Sequence, residues 1–202
     1  MSLEAPSHVS VETIADLYHH HAKMAEVSFK EHNLLPQMIT PSQVIIGDKK
    51  EGEPFLPIDI YLDRLRSAHN IGSIIRTTEA FRLGKVIFSK EMIDASSKQI
   101  QDTSMGASEW VACEKTSDLS TLKRPLIALE TVEGAPAYFD FTFPPSFTLA
   151  LGNEEQGLSS EVLEKADICI QIPLWGRKNS LNVASAFSIV AGEICRQQRP
   201  QK

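Results

Sequence analysis

Between residues 152 and 159 the chain reads G-N-E-E-Q-G-L-S. The two glycines have the spacing of a phosphate-binding P-loop, G-x-x-x-x-G-K-[ST], but Leu158 stands where the lysine belongs. Glu154 and Glu155, inside the loop, would repel a triphosphate. No G-x-G occurs anywhere, which removes the dinucleotide fingerprint and the glycine loop of doubly wound methyltransferases. A loop of this kind can offer backbone N–H and C=O groups to a ligand that is not strongly anionic. S-adenosylmethionine fits that description, because its adenine needs backbone hydrogen bonds and its sulfonium is cationic.

Two further stretches carry polar, glycine-containing chemistry: D-R-L-R-S-A-H-N-I-G-S-I-I-R at 63–76 and I-P-L-W-G-R-K-N-S-L-N at 172–182. In the first, Asn70 opens a helix and can act as its N-cap. Arg76 falls about 150° from the centre of that helix's apolar stripe, Ile71, Ile74, Ile75 and Thr78, so it is free to face a ligand. In the second, Ser180, Leu181 and Asn182 begin the final helix, and Ser180 is a standard N-cap type. Arg64, Arg66, Arg177 and Lys178 lie in or beside these stretches as candidate phosphate contacts or as ordinary surface charge.

The elements that must hold these residues alternate in kind. Apolar runs at 58–62, 85–89, 110–113, 126–131, 147–151 and 168–173 read as strands. Helices are expected at 70–81, 159–165 and 181–197. Strands alternating with helical connections predict an α/β domain with a mostly parallel sheet covered by helices on both faces. Such sheets bind ligands beyond the carboxyl ends of their strands, where all three polar stretches fall.

Hydrophobic content of 42% is enough for a globular core in 202 residues. No apolar run approaches the ~18 residues of a membrane span, and no basic-then-apolar leader begins the chain, so no membrane association and a cytoplasmic location are expected. A net charge of −6 argues against non-specific coating of nucleic acid, but leaves room for a local basic patch. Cys113, Cys169 and Cys195 form no metal-binding spacing and read as buried, reduced thiols. His19, His20 and His21 are consecutive; neighbouring helical side chains point about 100° apart and cannot converge on one metal ion. Residues 1–54 read as an appendage, with a helix at 11–32 and a linker broken by prolines and glycines; residues 55–202 read as the main domain.

Taken together, the three polar stretches resemble the motifs of the SpoU/TrmH class of SPOUT RNA methyltransferases. N-I-G-S-I-I-R-T-T-E-A-F-R-L-G-K-V-I-F-S is similar to the first motif, L-A-L-G-N-E-E-Q-G-L-S to the second, and I-Q-I-P-L-W-G-R-K-N-S-L-N-V-A-S-A-F-S to the third. The resemblance covers about residues 57–198. Three positions depart from the family pattern: Glu155 stands where glycine is common, Leu174 replaces methionine, and Arg82 occupies a position usually held by a small residue.

The resemblance implies a C-terminal trefoil knot, S-adenosylmethionine as cofactor, a homodimer whose sites are shared between subunits, and transfer of a methyl group to a ribose 2′-hydroxyl of structured RNA, tRNA in the first place and rRNA otherwise. The alternative it leaves is a SPOUT-fold RNA-binding or ribosome-assembly protein without catalysis. It also implies that Arg76, Asn70, Glu154, Ser180 and Asn182 form the catalytic set, with Glu154 orienting Arg76 or another donor beside it. Whether Arg76 acts as a base or as an electrostatic anchor stays open, although a guanidinium is very hard to deprotonate. Ile172, Leu174 and Leu181 would enclose adenine, with Leu151, Gly152, Asn153, Gly157 and Ser180 completing the cofactor site and Glu130 and Thr131 contributing from an earlier strand. No metal site is implied. The extra RNA-binding domain frequent in the family is not expected in the roughly 54 residues before the first strand.

Overall fold

The computed structural model describes residues 53–199. The readings made for residues 1–52, including the helix at 11–32 and the histidine triplet, lie outside the described residues.

Six strands form one sheet: β1 (Ile58–Leu62), β2 (Val86–Ser89), β3 (Cys113–Thr116), β4 (Leu126–Leu129), β5 (Phe147–Leu151) and β6 (Ile168–Ile170). Their order is β3-β2-β1-β5-β4-β6, and each neighbouring pair is parallel. The central strands are mostly apolar and are buried along their whole length, because both faces are covered; each holds one buried polar residue, Asp59 in β1 and Thr148 in β5. Ile58, Ile60 and Leu62 of β1 point to one face, where they meet Ile71, Ile74 and Ile75 of helix α1 (Ala68–Ala80), Ile100 of α2 (Lys98–Ser104), and Phe187, Val190 and Ile194 of α4 (Val183–Gln198). Tyr61 points to the other face and packs with Ala128, Ala150 and Val162 of α3 (Ser160–Lys165). No helix among the described residues is long and apolar enough to cross a membrane.

The chain builds outward from β1 to β3, then returns to place β4, β5 and β6 on the other side of β1. The direction of winding therefore reverses between β1 and β5, the kind of switch point beside which parallel sheets bind ligands. Backbone and side chain both tie the two strand ends together. The N–H of Asp63 donates to the carbonyl of Leu151 at 2.9 Å, and the Asp63 carboxylate accepts the N–H of Ser159 at 2.7 Å.

Two elements differ from expectation. The apolar run at 110–113 is not a strand. Trp110 closes a turn, Val111 tucks under it, and the edge strand that pairs with β2 is the polar Cys113–Thr116. Helix α2 was not expected; it offers only Ile100 and Ser104 to the interior, too few positions to give a readable period, and is started by the Ser97 hydroxyl.

Arg82, the departure from a small residue, adopts a left-handed φ of 51°. That position favours glycine, and here the side chain holds it: the guanidinium lies 3.8 Å over the Phe55 ring and donates to the Glu53 carbonyl at 2.7 Å. The three cysteines are free and partly buried, and burial pushes the Cys113 thiol up to about 11. All three therefore stay protonated at neutral pH, as inert thiols do.

Candidate active site

The loop after β5 is closed from within. Asn153 is 6% exposed, and its backbone exchanges two hydrogen bonds with Gly157, at 3.0 and 2.9 Å. The Asn153 side chain donates to the Arg64 carbonyl at 2.8 Å and accepts the N–H groups of Glu155 and Gln156. Glu130, at the end of β4, accepts the N–H of Leu158 on one carboxylate oxygen and that of Thr131 on the other, each at 3.0 Å. The glycines are required by closeness. A Cβ on Gly152 would strike the backbone of Gly157 and Leu158, and one on Gly157, whose φ is +68°, would strike the Glu130 carboxylate.

This tight loop carries Glu154 outward over the N-terminal turns of α1. Its carboxylate accepts from Asn70 Nδ2 at 2.7 Å. Asn70 Oδ1 in turn accepts from Asn182 Nδ2 at 3.0 Å, and Asn182 Oδ1 accepts the N–H groups of Ala184 and Ser185. One hydrogen-bonded chain thus joins the ends of β5, α1 and α4 across as many as 112 residues of sequence. The helix caps differ from expectation. Ser67, not Asn70, caps α1, and Asn182, not Ser180, caps α4. Asn70 is freed from capping and is 8% exposed, so its amide serves the chain of contacts. Glu154 binds Asn70 rather than Arg76.

Arg76 stands exposed on α1, and its side chain makes no hydrogen bond or ion pair among the described residues. It lies on the helix face of His69 and Ser73, at positions i, i+4 and i+7. His69, Asn70, Ser73, Asn182, Ser185 and Ser188 line a polar cleft of about 420 Å³ between α1 and α4. Glu155 is solvated, with Arg66 at 3.9 Å, and Arg64 is drawn toward Asp63 at 3.4 Å.

A second cavity, of about 410 Å³, lies across the start of α4 and is mostly apolar. Of the expected cofactor residues, Ile172, Leu174, Ser180 and Leu181 line it, together with Tyr138, Phe139, Pro173, Trp175 and Ile189. Consecutive residues Leu181 and Asn182 border the apolar cavity and the polar cleft respectively, so the two spaces meet there. The other expected cofactor residues stand apart from the cavity lining. Leu151 is core, and its carbonyl is taken by Asp63. Gly152, Asn153, Gly157, Glu130 and Thr131 belong to the tied loop and its support. Tyr138 and Phe139 were not legible as site residues; they come from the long connection between β4 and β5, which has no motif of its own. Among the described residues no cluster of His, Cys, Asp and Glu could hold a metal ion.

The sequence profile described as the SpoU rRNA Methylase family matches residues 57–192. The chain belongs to the SpoU family. Among its relatives, a Staphylococcus epidermidis protein assigned to the TrmH tRNA/rRNA methyltransferase family is 34% identical over 145 residues. That match takes in 69% of this chain and 58% of the relative, so this SpoU chain spans little more than half the relative's length. The AdoMet-bound rRNA methyltransferase of Sinorhizobium meliloti superposes with a TM-score of 0.64 at 28% identity, covering 71% of this chain and 57% of that one. The TrmH/SpoU tRNA modifying enzyme of A. aeolicus gives a TM-score of 0.64 at 27% identity, with 72% and 77% covered. The matched region takes in the tied loop, the Asn70–Glu154–Asn182 chain and both cavities.

Proposed function

We propose that this SpoU chain transfers a methyl group from S-adenosylmethionine to a ribose 2′-hydroxyl of RNA, tRNA in the first place and rRNA otherwise, as a homodimer in the cytoplasm. The observation that carries this reading is the meeting of an apolar cavity and a polar cleft at the start of α4. One space suits a heterocycle and the other a sugar. The apolar cavity has the volume and lining of small-molecule sites, and Ile172, Leu174 and Leu181 give adenine apolar contact. Among the described residues its lining has no carboxylate, and Lys178 is its one cation. When bound, S-adenosylmethionine would supply the activated methyl group.

A ribose 2′-hydroxyl is a poor nucleophile at neutral pH, so the protein must place it and stabilise the charge that develops. Glu154 fixes the Asn70 amide, and Asn70 fixes that of Asn182. Each amide keeps one N–H unused in this chain of contacts, available to a sugar oxygen. Asn182 is also held by the N-terminus of α4 through two backbone N–H groups, so its geometry is set before any ligand arrives. Arg76 brings a fixed positive charge to the same helix face. Its role is to anchor a phosphate and stabilise the developing alkoxide, because a guanidinium keeps its proton. The homodimer and the trefoil path belong to the same proposal. The exposed Leu181 and Ile189 beside the site support a partner there, and the return of the chain to β6 beyond β4 supports the trefoil.

The test is methyl transfer to unmodified tRNA and rRNA, with mass-spectrometric mapping of the methylated nucleoside. Arg76→Ala should lower the rate by about 10²-fold or more, as loss of one charge-stabilising donor does, with cofactor binding nearly intact by calorimetry. Leu181→Asp should do the reverse and lose cofactor affinity first, since it places an unpaired charge against the apolar cavity. Methylation of a base would overturn the ribose assignment. Full activity in Arg76→Ala would remove the arginine from the mechanism.

A further inference from the structure

Trp175 is 88% exposed at the rim of the apolar cavity, more than any other large hydrophobic side chain among the described residues. The three residues after it, Gly176, Arg177 and Lys178, are also exposed. Neither cation has an ion-pair partner among the described residues, on a chain whose net charge is −6. A planar ring beside two uncompensated cations combines the two features that bind unpaired nucleotides: a face on which a base stacks, and positive charge that tracks the backbone.

We propose that Trp175 is a stacking platform for an unpaired base of the RNA substrate, with Arg177 and Lys178 holding the adjoining phosphates. This rests on the RNA methyltransferase reading above and narrows its substrate class. Trp175 shares its cavity with Ser180 and Leu181, and these lead directly to Asn182 in the polar cleft. A base stacked on the indole therefore neighbours the nucleotide whose ribose enters the cleft. In a continuous duplex the bases are stacked on one another and have no free face, so the substrate must present its target in a loop or an unpaired end. A protein partner fits less well, because two neighbouring like charges at the rim would need matching acids, whereas RNA brings phosphates at every nucleotide.

The chain has two tryptophans, so Trp110→Phe leaves Trp175 as the sole indole reporter. In that background, unmodified tRNA should quench the emission, and a blunt RNA duplex of equal charge should quench it far less. Trp175→Leu keeps an apolar lining but removes the ring; it should weaken tRNA affinity about tenfold, within the range of one base–aromatic stack. Trp175→Phe should restore affinity to within about twofold of the parent, because it returns a face for stacking. The inference is overturned if Leu and Phe behave alike, if S-adenosylmethionine alone quenches fully and tRNA adds nothing, or if the emission follows protein concentration without RNA, which would seat a second copy on Trp175. Methyl transfer with a silent Trp175 overturns this inference and leaves the methyltransferase reading standing. Quenching by tRNA without any methyl transfer overturns that reading and supports the platform.

Discussion

Two loops at the same edge of the sheet are built on opposite principles. The 152–158 loop is closed by its own backbone, by the Glu130 carboxylate, by the backbone carbonyl of Arg64 and, at Ser159 just after it, by the Asp63 carboxylate. The 172–181 segment makes no hydrogen bond among the described residues, and its residues from Trp175 onward are exposed. One loop is a finished scaffold. The other is a surface whose polar groups are left for something else to meet, and it lines the apolar cavity. Preorganisation and openness thus sit side by side: the first fixes Glu154 and through it Asn70, while the second keeps Leu174, Trp175 and Leu181 available.

The sharpest way to break this contrast is at glycine. Gly152→Ala would drive a methyl group into the backbone of Gly157 and Leu158, which has no free room because Glu130 and Asn153 pin it. Backbone cannot yield as a side-chain tip can, so the loss should lie at the upper end for single substitutions, about 4 kcal/mol. A shift of the urea midpoint at constant slope measures it. A cost under about 1 kcal/mol would mean that the loop can reopen, and the scaffold description would fail.

A smaller effect is expected at Asn153→Ala. The side chain makes three hydrogen bonds, one given to the Arg64 carbonyl and two taken from Glu155 and Gln156. At roughly 1 kcal/mol each, and with Arg64 left facing a void, the loss should be about 2–3 kcal/mol. The comparison is sharpened by reading a second quantity in the same variant. If the loop positions Glu154, methyl transfer should fall more than global stability at working temperature requires, while calorimetric cofactor binding falls less. Equal loss of both would reduce Asn153 to a stability residue.

How much of this was readable beforehand follows from the kind of interaction involved. Strands β1 and β5 were legible to the residue because burial on both faces makes each a mostly apolar run, broken only by Asp59 and Thr148. Helix α1 was legible from Ile71, Ile74 and Ile75. The edge strand β3 was not, because its residues C-E-K-T are mostly polar and partly buried only at the two ends, with no alternation to read, while the apolar approach to it at Trp110 imitated a strand. Glycine spacing marked the 152–158 loop, but the groups that close it lie 28 to 96 residues away, beyond any local pattern. The same holds for the caps. Asn70 and Asn182 are both cap types, and only the packed structure assigns one to a helix end and the other to a contact between helices. The strand order, with β5 inserted between β1 and β4, has no local signature at all.

The smallest effect is expected in the open segment, and it is the control that gives the others meaning. Gly176 has no positive φ, and a Cβ added to it meets nothing within 4 Å. Alanine there costs no contact and narrows the conformations of the unfolded chain, which stabilises the folded state slightly. Gly176→Ala should therefore change stability by no more than about 0.5 kcal/mol, in the favourable direction. Both glycines lie in loops at the ligand-binding edge of one sheet, so composition and location are matched, and only the surroundings differ. A loss approaching that of Gly152→Ala would show that 172–181 is packed against something in solution, a second copy of the chain being the first suspect. Repeating the urea titration over a wide range of protein concentration separates the cases: a destabilisation that grows on dilution places the segment in an interface, whereas one independent of concentration places it within a single chain.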